Sequence, residues 1–174
     1  MFDLVRLTYS SKANFDYQPD SPAMEPAVAE ILKQSRVNNR EANIGGVLYF
    51  AEGYFFQCLE GRRSKVMRLV EVVQNDPRHT DFRISFCRRA RRRRFNGWTM
   101  KYVPVGQEVK TFVESRGYAE FNPTLLLESE VNSLVHLFTQ LEDTSLLSPE
   151  LSVAHRSKPN FWQRMFSGTQ LRSV

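Results

Sequence analysis

Cysteine is scarce in this chain of 174 residues: there are two, Cys58 and Cys87, and neither has partners at metal-ligand spacing. That argues against a disulfide framework and against the common zinc sites. Both are expected as buried, inert thiols of a reducing compartment. No run approaches the roughly 20 apolar residues that span a bilayer. The opening Met-Phe-Asp-Leu-Val-Arg puts no charged leader ahead of a long apolar stretch, so a cytoplasmic location without membrane contact is expected. Carboxylates are also short: 19 Asp and Glu face 24 Lys and Arg, for a formal net charge of +5. Much of the excess sits in Arg88–Arg94, where six of seven residues are arginine. Such a run invites an anionic partner. The plainer reading, which takes precedence, is charge on a solvated loop or an edge strand.

What is present suffices for a packed core: 41% hydrophobic residues and 13 Phe, in a length that allows one domain and a modest appendage. Val5, Leu7 and Tyr9 alternate with Leu4, Arg6 and Thr8, which predicts a strand over 3–9. Met24, Val28, Ile31, Leu32 and Ser35 recur at helical spacing and predict a helix over about 24–39. Strands over 44–50 and 54–59 flank a tight hairpin turn at Ala51, Glu52 and Gly53. A second helix carries Val66, Leu69, Val70 and Val73 and stops at Asn75-Asp76-Pro77. Alternating Phe82, Ile84 and Phe86 predict a fourth strand, and residues 98–103 a fifth. The order β-α-β-β-α-β-β implies an α+β, ferredoxin-like sheet with two helices on one face.

Beyond Pro104 the expected elements are a short helix near 109–116 and a longer one over about 124–142. In the longer one Leu127, Val131, Leu134, Phe138 and Leu141 form a narrow seam, most simply used to cover the sheet face where Tyr54, Phe56 and Cys58 point. The expected division is a domain over 1–104, a helical extension over 105–147 and a basic, aromatic tail over 148–174 carrying Phe161, Trp162, Met165 and Phe166.

Polar residues on faces that periodicity assigns to the core are the functional signal. The first helix turns from aliphatic to hydrogen-bonding at Ser35, Asn38 and Asn39. An Asn pair at a helix end reads as a C-terminal cap, or, if Asn39 faces inward, as an amide able to bond the edge of a planar heterocycle. Gln57 sits between Phe55 and Leu59 on one strand face. A buried amide without partners costs about 1–3 kcal/mol, so a specific partner is expected. Tyr9, on the Val5/Leu7 face of a neighbouring strand, supplies one.

Six segments in order, Tyr9-Ser10-Ser11, Asn38-Asn39, Ile44-Gly45-Gly46, Tyr54 to Gly61, Asp76-Pro77-Arg78-His79 and Arg93 to Met100, together resemble the BLUF family of flavin photoreceptors over about residues 1–104. The stretch from Val109 to Gly117 is more loosely similar to the tails of short BLUF regulators. The resemblance implies a noncovalently bound FAD, with FMN or riboflavin as substitutes, lying between the two helices above the sheet. Tyr9 would be the photoactive tyrosine, Gln57 the glutamine between it and the flavin, and Asn39 a bond to the flavin edge. Asn38, Ser35, Arg78 and His79 would be secondary contacts, and Trp98 and Met100 the switch residues of the fifth strand. It further implies no enzymatic turnover, a separate downstream signalling protein and self-association into a homo-oligomer. Gly45, where Thr or Ser is common, and the arginine density before Phe95 depart from the family pattern.

Two other classes share the topology. An RNA-binding module would use Arg88–Arg94, but the Tyr54–Gly61 segment lacks the basic-Gly-aromatic opening of that signature. An acylphosphatase-like enzyme would need a glycine-rich anion cradle that residues 10–13 do not offer.

Overall fold

The computed structural model describes residues 3–19, 24–104 and 106–141. Strand β1 (Leu4–Ala13) runs antiparallel to both β3 (Tyr54–Arg62) and β4 (His79–Arg89). β3 also pairs antiparallel with β2 (Gly45–Ala51), and the short β5 (Lys101–Val103) joins the far side of β2 in parallel. The five-stranded order is β4-β1-β3-β2-β5, the ferredoxin-like arrangement expected from the element order. Glu52 and Gly53, with φ of 51° and 71°, make the two-residue turn between β2 and β3, whose left-handed pair matches the twist of the flanking strands.

Helices α1 (Pro26–Ala42) and α2 (Arg63–Gln74) occupy one sheet face. Proline opens α1, where its missing N–H is no loss, and Asn43 closes it in a left-handed conformation. Val28, Ile31 and Leu32 of α1 and Val66, Leu69, Val70, Val72 and Val73 of α2 bury against Val5, Leu7, Leu48, Phe55 and Leu59. On the opposite face, α3 (Gln107–Glu114) and α4 (Glu128–Gln140) pack Val109, Phe112, Val131, Leu134, Val135 and Phe138 on Val47, Tyr49, Phe56 and Cys58. The sheet is therefore covered on both sides, with a separate apolar core on each.

Two boundaries differ from expectation in ways that bear on the site and its cover. The fifth strand starts at Lys101 rather than Trp98, because the backbone of 98–100 bonds to α1 and to Gly46 instead of forming a ladder. α4 starts at Glu128 rather than near 124, since Asn122 accepts from the Thr124 N–H and hydroxyl and holds a turn there. Leu127 is consequently 66% exposed and drops out of the seam. Residues 142–174, including the aromatic residues expected in the tail, lie outside the described residues. Among those described, no helix is long and apolar enough to cross a membrane, and no group of His, Cys, Asp and Glu could hold a metal.

Candidate functional site

Tyr9 and Gln57 face each other directly across the β1–β3 ladder, so the period of two sends both side chains to the face under α1 and α2. Both are buried, at 1% and 3% exposure. The Tyr9 hydroxyl donates to Gln57 Oε1 in a short hydrogen bond. Burial, reinforced by the charge of Asp76, pushes the phenol well above its usual range, so it is neutral at any ordinary pH. Phe82 of β4 stacks on its ring at 4.5 Å between centroids. The other end of the Gln57 amide, Nε2, lies 3.8 Å from the sulfur of Met100.

Met100 precedes β5 and is strapped to the last turns of α1. Arg36 Nε donates to the Met100 carbonyl at 3.0 Å, and Asn39 Nδ2 donates to the Thr99 carbonyl at 2.8 Å. The inward reading of Asn39 therefore holds, and the capping role falls to Asn43. Asn39 Oδ1 and Asn38 Nδ2 are buried with no partner among the described residues. One acceptor and one donor left unpaired together is costly, and they fit a planar ring edge that offers both N–H and C=O. The Asn pair lines a cleft of about 200 Å³ between the end of α1 and α2, together with Glu41, Ala42, Ile44, Lys65, Arg68 and Leu69. The residues present thus suit a flavin: amides for the ring edge, aliphatic side chains for its plane, and cations for an anionic tail.

The remaining expected contacts are dispersed. Arg78 pairs with the buried Asp76 carboxylate at 2.6 Å and donates to Gln34 of α1 at 3.0 Å. His79 Nδ1 lies 2.8 Å from the Ser11 hydroxyl, and its ring packs 4.5 Å from that of Phe55. Burial lowers the His79 pKa to about 4, despite the opposing charge of Asp76. Ser35 is half-buried, one turn ahead of the Asn pair. None of Ser35, Arg78 and His79 lines the cleft. Nor does Trp98 reach Gln57. Trp98 packs with the core on the opposite sheet face, under the Lys101 ammonium 4.5 Å from its ring centroid. Of the two expected switch residues, only Met100 touches Gln57, and Tyr9, Gln57 and Met100 lie in the core rather than in the lining of the cleft.

The family model described as "Sensors of blue-light using FAD" matches residues 4–101. The chain belongs to the BLUF family. Blue-light sensing through a bound flavin is therefore its function class. Among curated relatives, this BLUF chain is 32% identical over 78 residues to a photoactivated adenylate cyclase subunit beta of Euglena longa. It is 31% identical over 68 residues to the blue light- and temperature-regulated antirepressor BluF of Escherichia coli (strain K12). Those matches cover 45% and 39% of this chain but only 8% and 17% of the relatives. Solved BLUF structures match more completely. The BlsA ground state superposes with a TM-score of 0.75 at 32% identity, covering 84% of this chain and 95% of that one. The dark-state BLUF protein BlrB does so with 0.62 at 25%, covering 80% and 98%.

Sequence reasoning missed Glu60. It lies on the opposite face of β3 from Gln57, fully buried. Oε1 accepts from Arg6 Nε at 2.6 Å, and Oε2 accepts from the backbone N–H groups of Arg94 and Phe95 at 2.8 and 3.0 Å. The signal that found Gln57, a polar residue in line with apolar ones on a core face, was equally available for Glu60, which shares its face with Phe56 and Cys58. Gly45 belongs to the same arrangement. A Cβ there would come within 2.9 Å of the Phe95 carbonyl and 3.3 Å of the Arg93 guanidinium, so the departure from Thr or Ser lets the arginine loop lie against β2.

Proposed function

We propose that this domain holds FAD, FMN or riboflavin between α1 and α2, and converts blue light into a turn of the Gln57 amide that is relayed to a separate protein. The observation that carries this reading is the buried chain Tyr9 Oη–H, Gln57 Oε1, Gln57 Nε2, Met100 Sδ. When bound, the flavin would supply blue-light absorption and an excited state able to accept an electron from a neighbouring phenol. A phenol that loses an electron becomes strongly acidic, and the Tyr9 proton has one acceptor within reach, Gln57 Oε1. Proton transfer breaks the bond that fixes the amide. When electron and proton return to Tyr9, the amide can settle with its nitrogen and oxygen exchanged. The two orientations present different hydrogen-bonding atoms to Tyr9 and Met100, and this is the bistable element.

The path outward is short. Met100 lies in the core beneath α1 and α2, while the adjacent Lys101 reaches the other face. There its ammonium covers Trp98 and donates to the Leu141 carbonyl at the end of α4. A shift of Met100 against Gln57 therefore pulls on the contact that fixes the end of α4. This is a contiguous physical link of the kind that coupling between sites requires. The flavin chemistry consumes no substrate, so the domain acts as a sensor and not as an enzyme. Self-association, as in oligomeric sensors, would place two such outputs side by side.

The test is an absorption spectrum of the purified, flavin-loaded protein before and after blue light. A reversible red shift of the flavin band is expected. A bound flavin whose spectrum is unchanged by illumination would sink the reading.

A further inference from the structure

The arginine run has no part in the flavin site, yet it is built rather than loose. At its strand end the charge is spent: Arg88 pairs with Glu128, and Arg89 lies 3.7 Å from Asp3. Arg93 is turned inward and donates to the Glu60 carbonyl at 3.0 Å and the Asn43 carbonyl at 2.6 Å. Glu60 holds the backbone of residues 94 and 95 from below, and Arg6 donates to the Arg92 carbonyl at 3.3 Å. With the loop fixed in this way, Arg91, Arg92 and Arg94 are left exposed. Together with Arg6 and Arg93 they form one wall of a cleft of about 520 Å³, whose other wall is His136 and Thr139 of α4. Among the described residues no carboxylate lines it.

We propose that this cleft, between the loop of residues 90–95 and the C-terminal half of α4, docks an acidic segment of a protein partner. Forked guanidinium groups on a held backbone match carboxylates in paired hydrogen bonds. The alternative polyanion, a nucleic acid strand, fits less well for two reasons. Its backbone needs an extended basic track, whereas here Glu128 and Asp3 close off the strand end. Its bases need exposed aromatic faces, whereas Phe95 is 1% and Phe86 7% exposed, and Lys101 covers the Trp98 ring.

The same cleft is tied to the photoactive pocket. Thr99 and Met100, which bond α1 and face Gln57, continue directly from the loop, and Lys101 fixes the end of the helix that forms the second wall. The docking site thus names the partner chemistry of the proposed relay. It rests on that reading for its light dependence alone.

The experiment titrates the full-length, flavin-loaded protein, dark and lit, against a short labelled oligoglutamate peptide and against single-stranded RNA of equal net charge. The peptide should bind, with affinity falling as salt rises, and illumination should change that affinity. Arg91→Glu combined with Arg92→Glu should weaken peptide binding about tenfold or more, while Lys110→Glu on α3 should leave it unchanged. Arg91→Gln with Arg92→Gln gives the same comparison with less perturbation if the charge reversals impair folding. An intact light-induced shift in the arginine variants separates loss of docking from loss of photochemistry. Peptide binding that is unaltered by light, beside an intact shift, would remove the link between pocket and cleft while leaving the docking site. No binding at low salt, binding indifferent to the arginine changes, or tighter capture of the RNA would overturn the docking site. So would binding that emerges only after Glu142, Asp143 and Glu150 are changed to Gln, since the chain's own acidic stretch would then be the occupant.

Discussion

Tyr9 and Gln57 are a cross-strand pair whose proximity follows from register alone, and their value lies in what surrounds them. The pair is sealed from water, so the phenol keeps its proton and the amide has few alternatives to the orientation it holds. Tyr9→Phe removes the transferable proton and Gln57→Leu removes the rotor, and both substitutions preserve volume. Each variant should stay yellow and lose the light-induced shift in difference spectra. His79 makes a separate prediction. Its folded pKa of about 4 lies below the usual 6.5, so between those values the unfolded chain binds a proton that the folded one refuses. Stability should therefore rise with pH from about 4 to about 6.5, by roughly 1–3 kcal/mol. His79→Gln should flatten that slope in urea midpoints measured across the range. Tyr9 and Gln57 were legible in the sequence because strand alternation exposes a polar residue on an apolar face. Ser35, Arg78 and His79 were named by likeness, and none of them lines the cleft.

Among the elements, β3 is the hinge of the design because its two faces do different work. Gln57 serves the pocket beneath α1 and α2, and Glu60 clamps the arginine loop on the other side. Glu60→Leu would leave Arg6 and two backbone N–H groups without their acceptor. It should cost about 2–4 kcal/mol in urea unfolding, with the flavin absorption maximum nearly unmoved. The segment before β5 links the faces. Lys101→Met keeps the apolar stem and removes the ammonium from Leu141 and Trp98. The spectral shift should persist in full, while light-dependent amide exchange in α4 disappears. The sequence pattern overextended the fifth strand to Trp98, since apolar residues read alike in a ladder or a packed loop. Its period could not show that Trp98 and Met100 end on opposite sides of the sheet.

Among the described residues the molecule is a sheet with a cleft between two helices on one face and a helical cover on the other. Ligand binding to the folded state should stabilise it by about 2.7 kcal/mol at a hundredfold excess over Kd. The thermal midpoint should thus rise with added FAD. Asn39→Ala, which deletes both the Thr99 strap and the unpaired Oδ1, should lose much of that rise. The element order, the ferredoxin-like class and the pairing of Tyr9 with Gln57 followed from residue types and spacing, because hydrophobic period and strand alternation are properties of the chain itself. Tertiary contact alone decided which Asn turns inward, which switch residue touches Gln57, and that Glu60 holds the arginine loop as one wall of a cleft. Those outcomes depend on side chains far apart in sequence competing for the same buried partners, and no local pattern records who wins.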